Sequence, residues 1–268
     1  MSAWRRRIAA LAACGFWCLS YLYVTLPDVR PLVDRNPSTT AFIERRIREA
    51  RDAGRELRPR QQWLPYARIS PQLKRAVLVA EDSAFWQHDG LDFAQIRESM
   101  EYNLKRGEFA RGASTITQQL AKNLYLSPAR TPLRKLREVM LARRLEAELS
   151  KRRILEIYLN VIEWGDGVFG AEAASRTYFG VSAGGLGPEQ SALLAAAIIN
   201  PRVLDPARPS PRLLRRQRLL LRRMGLAAPP PDTGSAARAG ERTEPVTPPA
   251  PVAPAPEQPP EGGFVERR

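Results

Sequence analysis

The sequence predicts a mainly α-helical protein carried behind one N-terminal membrane-spanning helix. Three observations carry that expectation. From Ser70 to about Met224, apolar residues recur at helical spacing almost throughout, with glycine-rich interruptions. Ser70-Pro71 and Thr131-Pro132 each set an N-cap hydroxyl before a first-turn proline. No convincing run of alternating apolar and polar residues, the mark of a half-buried strand, occurs in that region.

In chain order, Arg5-Arg6-Arg7 precede an uncharged run over residues 8–26, which is 19 residues long. At a rise of ~1.5 Å per residue, about 20 residues cross the hydrocarbon core of a bilayer. Residues 8–26 therefore read as a transmembrane helix. The arginines hold residues 1–7 in the cytoplasm and put the rest outside the inner membrane. A cleaved signal peptide fits less well, because its apolar region is about 7–15 residues long. Leu11-Ala12-Ala13-Cys14 looks like a lipoprotein cleavage box, but it follows Arg7 too closely. Cys14 and Cys18 both fall inside the apolar run, so the exported part must be stable without disulfides.

Residues 27–69 read as a basic connector with one helix over 39–51, marked by Phe42, Ile43 and Ile47. The main domain is placed at 70–226. Its first helix runs through Ala76-Val77-Leu78-Val79-Ala80 into Glu81. A second amphipathic stretch runs from Thr131 to Leu149 with Leu133, Leu136, Met140, Leu141 and Leu145 as its apolar stripe. Ser150 opens another helix through Ile154, Leu155, Tyr158 and Leu159, which Asn160 ends. Gly165, Gly167 and Gly170 mark a turn, residues 171–179 a short helix, and residues 188–200 a buried helix rich in alanine and leucine. Residues 227–268 are rich in Pro, Ala and Glu with few large apolar side chains, the composition of a disordered tail.

The net charge is +14, from 42 basic against 28 acidic residues, and only five of the basic residues are lysines. Such a surface suits nucleic acid, an anionic membrane or a phosphorylated substrate equally well, so charge alone does not choose. His88 is the only histidine. That excludes a histidine-based triad or metal centre and leaves His88 a hydrogen-bonding role.

Two segments are dense in chemistry. Glu81 and Asp82 directly follow an apolar run, and partial burial there raises a carboxyl pKa toward the range useful for proton transfer. Residues 112–123 are rich in hydroxyls and amides. On a helix, Ser114 with Gln118, Thr115 with Gln119, and Gln119 with Lys122 would form one polar surface. Gly112 before it allows close backbone approach. The surface suits a phosphate and, taken alone, suits a solvated helix face better. Arg134, Lys135 and Glu138 make an ordinary ion-paired cluster worth about 0.2–0.5 kcal/mol per pair. With Lys122 they would instead bracket a pyrophosphate, Glu138 orienting the cations or sharing a divalent ion such as Mg or Mn.

Four motifs stand in order: Glu-Asp-x-x-Phe-x-x-His-x-Gly at 81–90, Gly-x-Ser-Thr-x-Thr-Gln-Gln-x-x-Lys-Asn at 112–123, Arg-Lys-x-x-Glu at 134–138, and Lys-x-x-Ile-Leu-Glu-x-Tyr-Leu-Asn at 151–160. Together they resemble the peptidoglycan glycosyltransferases of family 51, and residues 163–180 continue the likeness, which spans about 76–206. Gly-Ala-Ser-Thr at 112–115 resembles the monofunctional branch. The resemblance implies a lysozyme-like helical lobe with a small, membrane-contacting jaw at about 91–112, where Phe93, Ile96, Met100, Tyr102, Leu104 and Phe109 would touch lipid. It implies polymerisation of lipid II into β-1,4-linked glycan with release of undecaprenyl pyrophosphate. In that reaction Glu81 would be the base and Glu138 the second glutamate on the donor side. Lys122, Arg134 and Lys135 would hold the pyrophosphate, with Ser114, Gln118 and Gln119 completing its cradle and Asp82, Phe85 and His88 in support.

Its partners would be lipid II, the growing lipid-linked strand, the membrane, and proteins of cell division or elongation, with no nucleic acid. No cofactor is required by this reading; a divalent cation, Mg or Mn, at the pyrophosphate is a candidate only. Ala84 departs from the family pattern, which often has a basic residue there, and Asn200-Pro201 lacks an additional upstream proline. A bifunctional enzyme would need a transpeptidase motif, yet no serine has lysine three residues later and Lys-Thr-Gly is absent. A lytic, lysozyme-like hydrolase with Glu81 as acid remains an alternative, as does a non-enzymatic scaffold binding anionic glycan or lipid.

Overall fold

The computed structural model describes residues 3–107, 112–129 and 131–225. The expected tail and Phe109 lie outside the described residues. The molecule is mostly helical, with α1 over Ala3–Val24, α2 over Ala41–Asp52, α3 over Pro71–Glu81, α4 over Phe93–Arg106 and α5 over Ile116–Tyr125. They are followed by α6 over Pro132–Glu148, α7 over Lys151–Val161, α8 over Ala171–Phe179, α9 over Pro188–Ala197 and α10 over Pro211–Met224. The capping signals act as the sequence suggests. Ser70, Thr131 and Ser150 each accept a backbone N–H of the first turn, and prolines open α3 and α6.

The core gathers the inward faces of these helices. Leu73, Ala76 and Val77 of α3 are fully buried, and α3 packs against α9 and α10. Ile116, Leu120 and Ala121 of α5 are fully buried as α5 packs on α6 and α7. Along α6 the apolar stripe is shorter than expected. Leu141, Ala142 and Leu145 are buried, but Leu133 and Leu136 are exposed. The inward side of the earlier turns goes to Glu138 instead, only 3% exposed.

Three strands, invisible as alternating pattern because each has two or three residues, form a small sheet in the order β1-β3-β2. β1, Arg60–Gln61, runs parallel to β3, Val168–Phe169, while β2, Glu163–Gly165, is antiparallel to β3. The glycine-marked turn is thus a hairpin. Its sheet brings in residues expected to be connector. Val29, Leu32, Leu64 and Ile69 join the core, and buried Arg46 of α2 pairs with Glu163 at 3.0 Å. Residues 27–69 are therefore an integral layer of the fold.

Helix α1 is long and apolar enough to cross a membrane. Its end is docked on α6. Arg144 donates to the carbonyls of Leu26 and Pro27 at 3.2 and 3.3 Å and covers the Tyr23 ring, and Arg137 donates to Thr25 at 3.0 Å. Leu26 and Pro27 follow the helix, so these guanidinium groups hold the chain just past its C-terminus, where positive charge also opposes the helix dipole.

Candidate active site

Glu81 is the last residue of α3 and Asp82 is its C-cap, so two adjacent carboxylates leave the helix in different directions. Asp82 turns inward and is 1% exposed. Its carboxylate accepts the Ile116 backbone N–H at 2.9 Å and meets His88 Nε2 at 3.0 Å. His88 Nδ1 accepts the Gly90 N–H at 3.1 Å, which leaves the ring proton on Nε2, pointing at Asp82. Gly90 adopts φ +86°, and its carbonyl accepts the Thr115 hydroxyl at 2.7 Å. Asp82, His88 and Gly90 thus fasten the end of α3 to the start of α5. Phe85 is fully buried beneath them, with Lys151 Nζ 4.4 Å from its ring centroid. Lys151 is held there by Glu146 at 2.7 Å.

Glu81 turns the other way, into the cleft. Its carboxylate accepts one hydrogen bond, from Gln119 Nε2 at 3.0 Å. Gln119 Oε1 in turn accepts the Tyr158 hydroxyl at 2.9 Å. Tyr158 is fully buried, and burial pushes its phenol well above the usual range, so the hydroxyl remains a donor and fixes the Gln119 amide with its NH₂ toward Glu81. Burial likewise raises the Glu81 carboxyl above the usual range. The Gln119 hydrogen bond and the charges of Arg216 and Lys122 pull against that rise, and Asp82 adds to it.

Linked to Glu81 through Lys122, which feels both carboxylates, Glu138 accepts Arg134 at 2.6 Å and Lys135 at 2.5 Å. Lys122 has no ion pair within this cluster, although it feels Glu138, Arg134, Lys135 and Glu81 electrostatically. Surrounding protein lowers its pKa first, and the two neighbouring cations lower it further. Three cations and one carboxylate leave two net positive charges here, a setting for a multiply charged anion.

The structure brings Glu81, Gln119, Lys122, Arg134, Lys135 and Glu138 into this constellation and separates two others. Thr115 is the N-cap of α5, so Ser114 precedes the helix and lines the hollow beside Glu81. Gln118 closes a capping box, its Oε1 on the Thr115 N–H at 3.1 Å, and is buried on the core side. The spacing of four that joined Ser114 to Gln118 does not apply across a cap. Sequence reasoning passed over Tyr158 as a site residue, as well as Arg216 and Arg223 of α10, which line the hollow. Ser210-Pro211 is the same capping signal as at Ser70 and Thr131 and would have delimited that helix. Among the described residues no three His, Cys, Asp or Glu side chains gather, and Glu138 is already engaged by two cations. That donor set does not fit a divalent ion held by the protein alone.

Residues 49–225 match the family model described as Transglycosylase. The chain belongs to the transglycosylase family. This transglycosylase is 51% identical over 195 residues to the biosynthetic peptidoglycan transglycosylase of Nitrosospira multiformis, covering 73% of the chain and 85% of the relative. The protein of the same name from Chromobacterium violaceum is 46% identical over 217 residues, or 81% and 92% of the two chains. That of Thiobacillus denitrificans is 46% identical over 227 residues, or 85% and 98%. The transglycosylase is accordingly an enzyme of glycosyl transfer, and Glu81 and the cationic cluster lie within the matched region.

Proposed function

We propose that this transglycosylase polymerises lipid II into β-1,4-linked glycan strands, with Glu81 as the general base. The observation that carries the reading is the pairing of a raised carboxylate held in no ion pair with a neighbouring cluster that has positive charge to spare. A lipid-linked glycan already carries a good leaving group once its charge is neutralised. Transfer then needs a base for the acceptor 4-hydroxyl and fixed cations around the pyrophosphate, rather than the carboxyl pair of a glycosidase.

In this mechanism Glu81 takes the hydroxyl proton as the acceptor oxygen attacks C1 of the donor. The C1–O bond to pyrophosphate breaks, and the released charge is met by Lys122, Arg134 and Lys135. Attack opposite an α-linked leaving group gives the inverted β-linkage. Glu138 positions its two cations, and Ser114 and Gln119 face the reacting groups. Helix α1 anchors the enzyme in the bacterial inner membrane with residues 1–7 cytoplasmic. The exposed apolar side chains of α4, Phe93, Met100 and Leu104, meet the lipid surface as the jaw. Cell-division or elongation proteins would be its partners.

The test uses the purified full chain with fluorescent lipid II in detergent. Wild type should give polymer, and Glu81→Gln should give it at least about 10²-fold more slowly. Polymerisation by that variant at the wild-type rate would refute the base assignment. Shortening of preformed strands would point to a hydrolase, and binding without turnover to a scaffold.

A further inference from the structure

The hollow beside Glu81, about 420 Å³, is lined by Glu81, Gln95, Ser114, Gln119, Arg216 and Arg223, and by none of Lys122, Arg134 or Lys135. On the Glu81 side it therefore carries cations other than those of the Glu138 cluster. Of the six arginines on α10, only Arg216 and Arg223 line it. Arg216 donates Nε to the Ala196 carbonyl at 3.2 Å, and neither guanidinium forms an ion pair with a carboxylate among the described residues. This contrasts with Arg134 and Lys135, both already bound to Glu138. Unpaired guanidinium groups in a recess keep their planar donors for a ligand anion.

We infer that Arg216 and Arg223 bind the acceptor substrate, Arg223 taking its pyrophosphate and Arg216 standing at its 4-hydroxyl end. The inference rests on the transfer reading above, in which both reactants carry a lipid pyrophosphate but only one pyrophosphate leaves. Lys122, Arg134 and Lys135 serve the leaving one, so the other needs a second set of cations. Spacing supplies the geometry. Arg216 is close enough to act on the charge of Glu81, and Arg223 lies seven residues on, two helical turns or about 10 Å along α10. That span suits a disaccharide whose hydroxyl end reaches the base while its pyrophosphate end reaches Arg223. Ser114 and Gln95 line the recess and offer polar contacts to the sugars.

The experiment separates the two substrates. Lipid II blocked at its 4-hydroxyl can only donate, and lipid II with a non-cleavable carbon link to its pyrophosphate can only accept. Arg223→Gln should raise KM for the acceptor about tenfold, the scale of one lost charge-assisted bond, with kcat and donor KM unchanged. The variant should also discriminate about tenfold less against an acceptor whose pyrophosphate is replaced by an uncharged linker. Arg223 is exposed, so the melting temperature should not move. An unchanged acceptor KM, or a rise in donor KM instead, overturns the assignment. Binding of the non-cleavable acceptor, followed by anisotropy, should weaken about tenfold whether or not turnover occurs. If wild type binds it yet neither joins it to the blocked donor nor polymerises unmodified lipid II, the transfer reading fails while the binding assignment stands.

Discussion

The two glutamates of the site are held in opposite ways. Glu81 ends α3 with a single bond from a neutral amide, itself fixed by a buried tyrosine. Glu138 of α6 is saturated by a guanidinium and an ammonium. A carboxylate that must accept a proton is left without a close cation, and burial makes it the stronger base. A carboxylate that must hold cations in place is filled by them and has no basicity to offer. One residue type thus performs two tasks because the backbone delivers it to two surroundings.

Replacing the base breaks the comparison most sharply. Glu81→Gln should lower polymerisation by about 10²–10⁴-fold, the usual worth of general base catalysis. It should also stabilise the fold. A carboxyl whose folded pKa is raised contributes most stability while protonated and loses it as pH rises through the folded value. The ionised group therefore costs stability near neutrality, and the amide removes that cost. Melts should show the variant ahead at pH 7, with the gain shrinking as the pH falls below the ordinary carboxylate range. A lower melting temperature at pH 7 would contradict the burial argument.

Glu138→Gln attacks the ion-paired glutamate and should behave differently. It keeps the side-chain size but leaves Arg134 and Lys135 repelling each other with nothing to aim them. Activity should fall about 10–100-fold, in line with charge-assisted bonds of ~1.5–3 kcal/mol. The loss should appear in donor KM and shrink as salt screens that repulsion, whereas the Glu81 defect should be indifferent to salt. A salt-independent loss confined to kcat would assign Glu138 a proton-transfer role instead.

Much of this was legible in the sequence, for identifiable reasons. Hydroxyl-proline pairs and 3.6-residue periodicity marked α3, α6 and α7 to within a residue or two, because capping and burial are local requirements. The sheet was not legible, since strands of two or three residues show no period. Residues 27–69 looked like a connector because their basic composition hides the few apolar residues that the core recruits. At the site, spacing announced the Glu138 ion pairs but misjudged Gln118, because the helix begins after Thr115 and the i,i+4 rule holds only inside a helix. The Tyr158–Gln119–Glu81 chain joins residues 38 and 39 apart in sequence, which no local pattern can reveal.

The neighbouring carboxylate sharpens the contrast at smaller amplitude. Asp82→Asn should destabilise by about 1–3 kcal/mol, because an amide oriented to accept from Ile116 and His88 keeps only one acceptor oxygen where the carboxylate offered two. Its melting temperature should fall at neutral pH where that of Glu81→Gln rises. Residues adjacent in the chain would then respond with opposite signs to the same exchange of carboxylate for amide. Equal responses would mean that the bonds from Ile116 and His88 do not fix Asp82, which lines the hollow together with Glu81.

The finest test acts on the base without touching it. Tyr158→Phe removes the donor that orients Gln119 while preserving the ring that fills the core. Gln119 can then rotate, and its hydrogen bond to Glu81 weakens. Because that bond pulls the Glu81 pKa down, its weakening must move the pKa up. Activity requires the deprotonated carboxylate, so the acid limb of the kcat profile should shift to higher pH, with the plateau rate little changed. Gln119→Leu should shift the same limb in the same direction and further, since the donor is lost outright. The two changes combined should equal Gln119→Leu alone, because Tyr158 reaches the base only through that amide. Additive shifts would show that Tyr158 acts on Glu81 by another route.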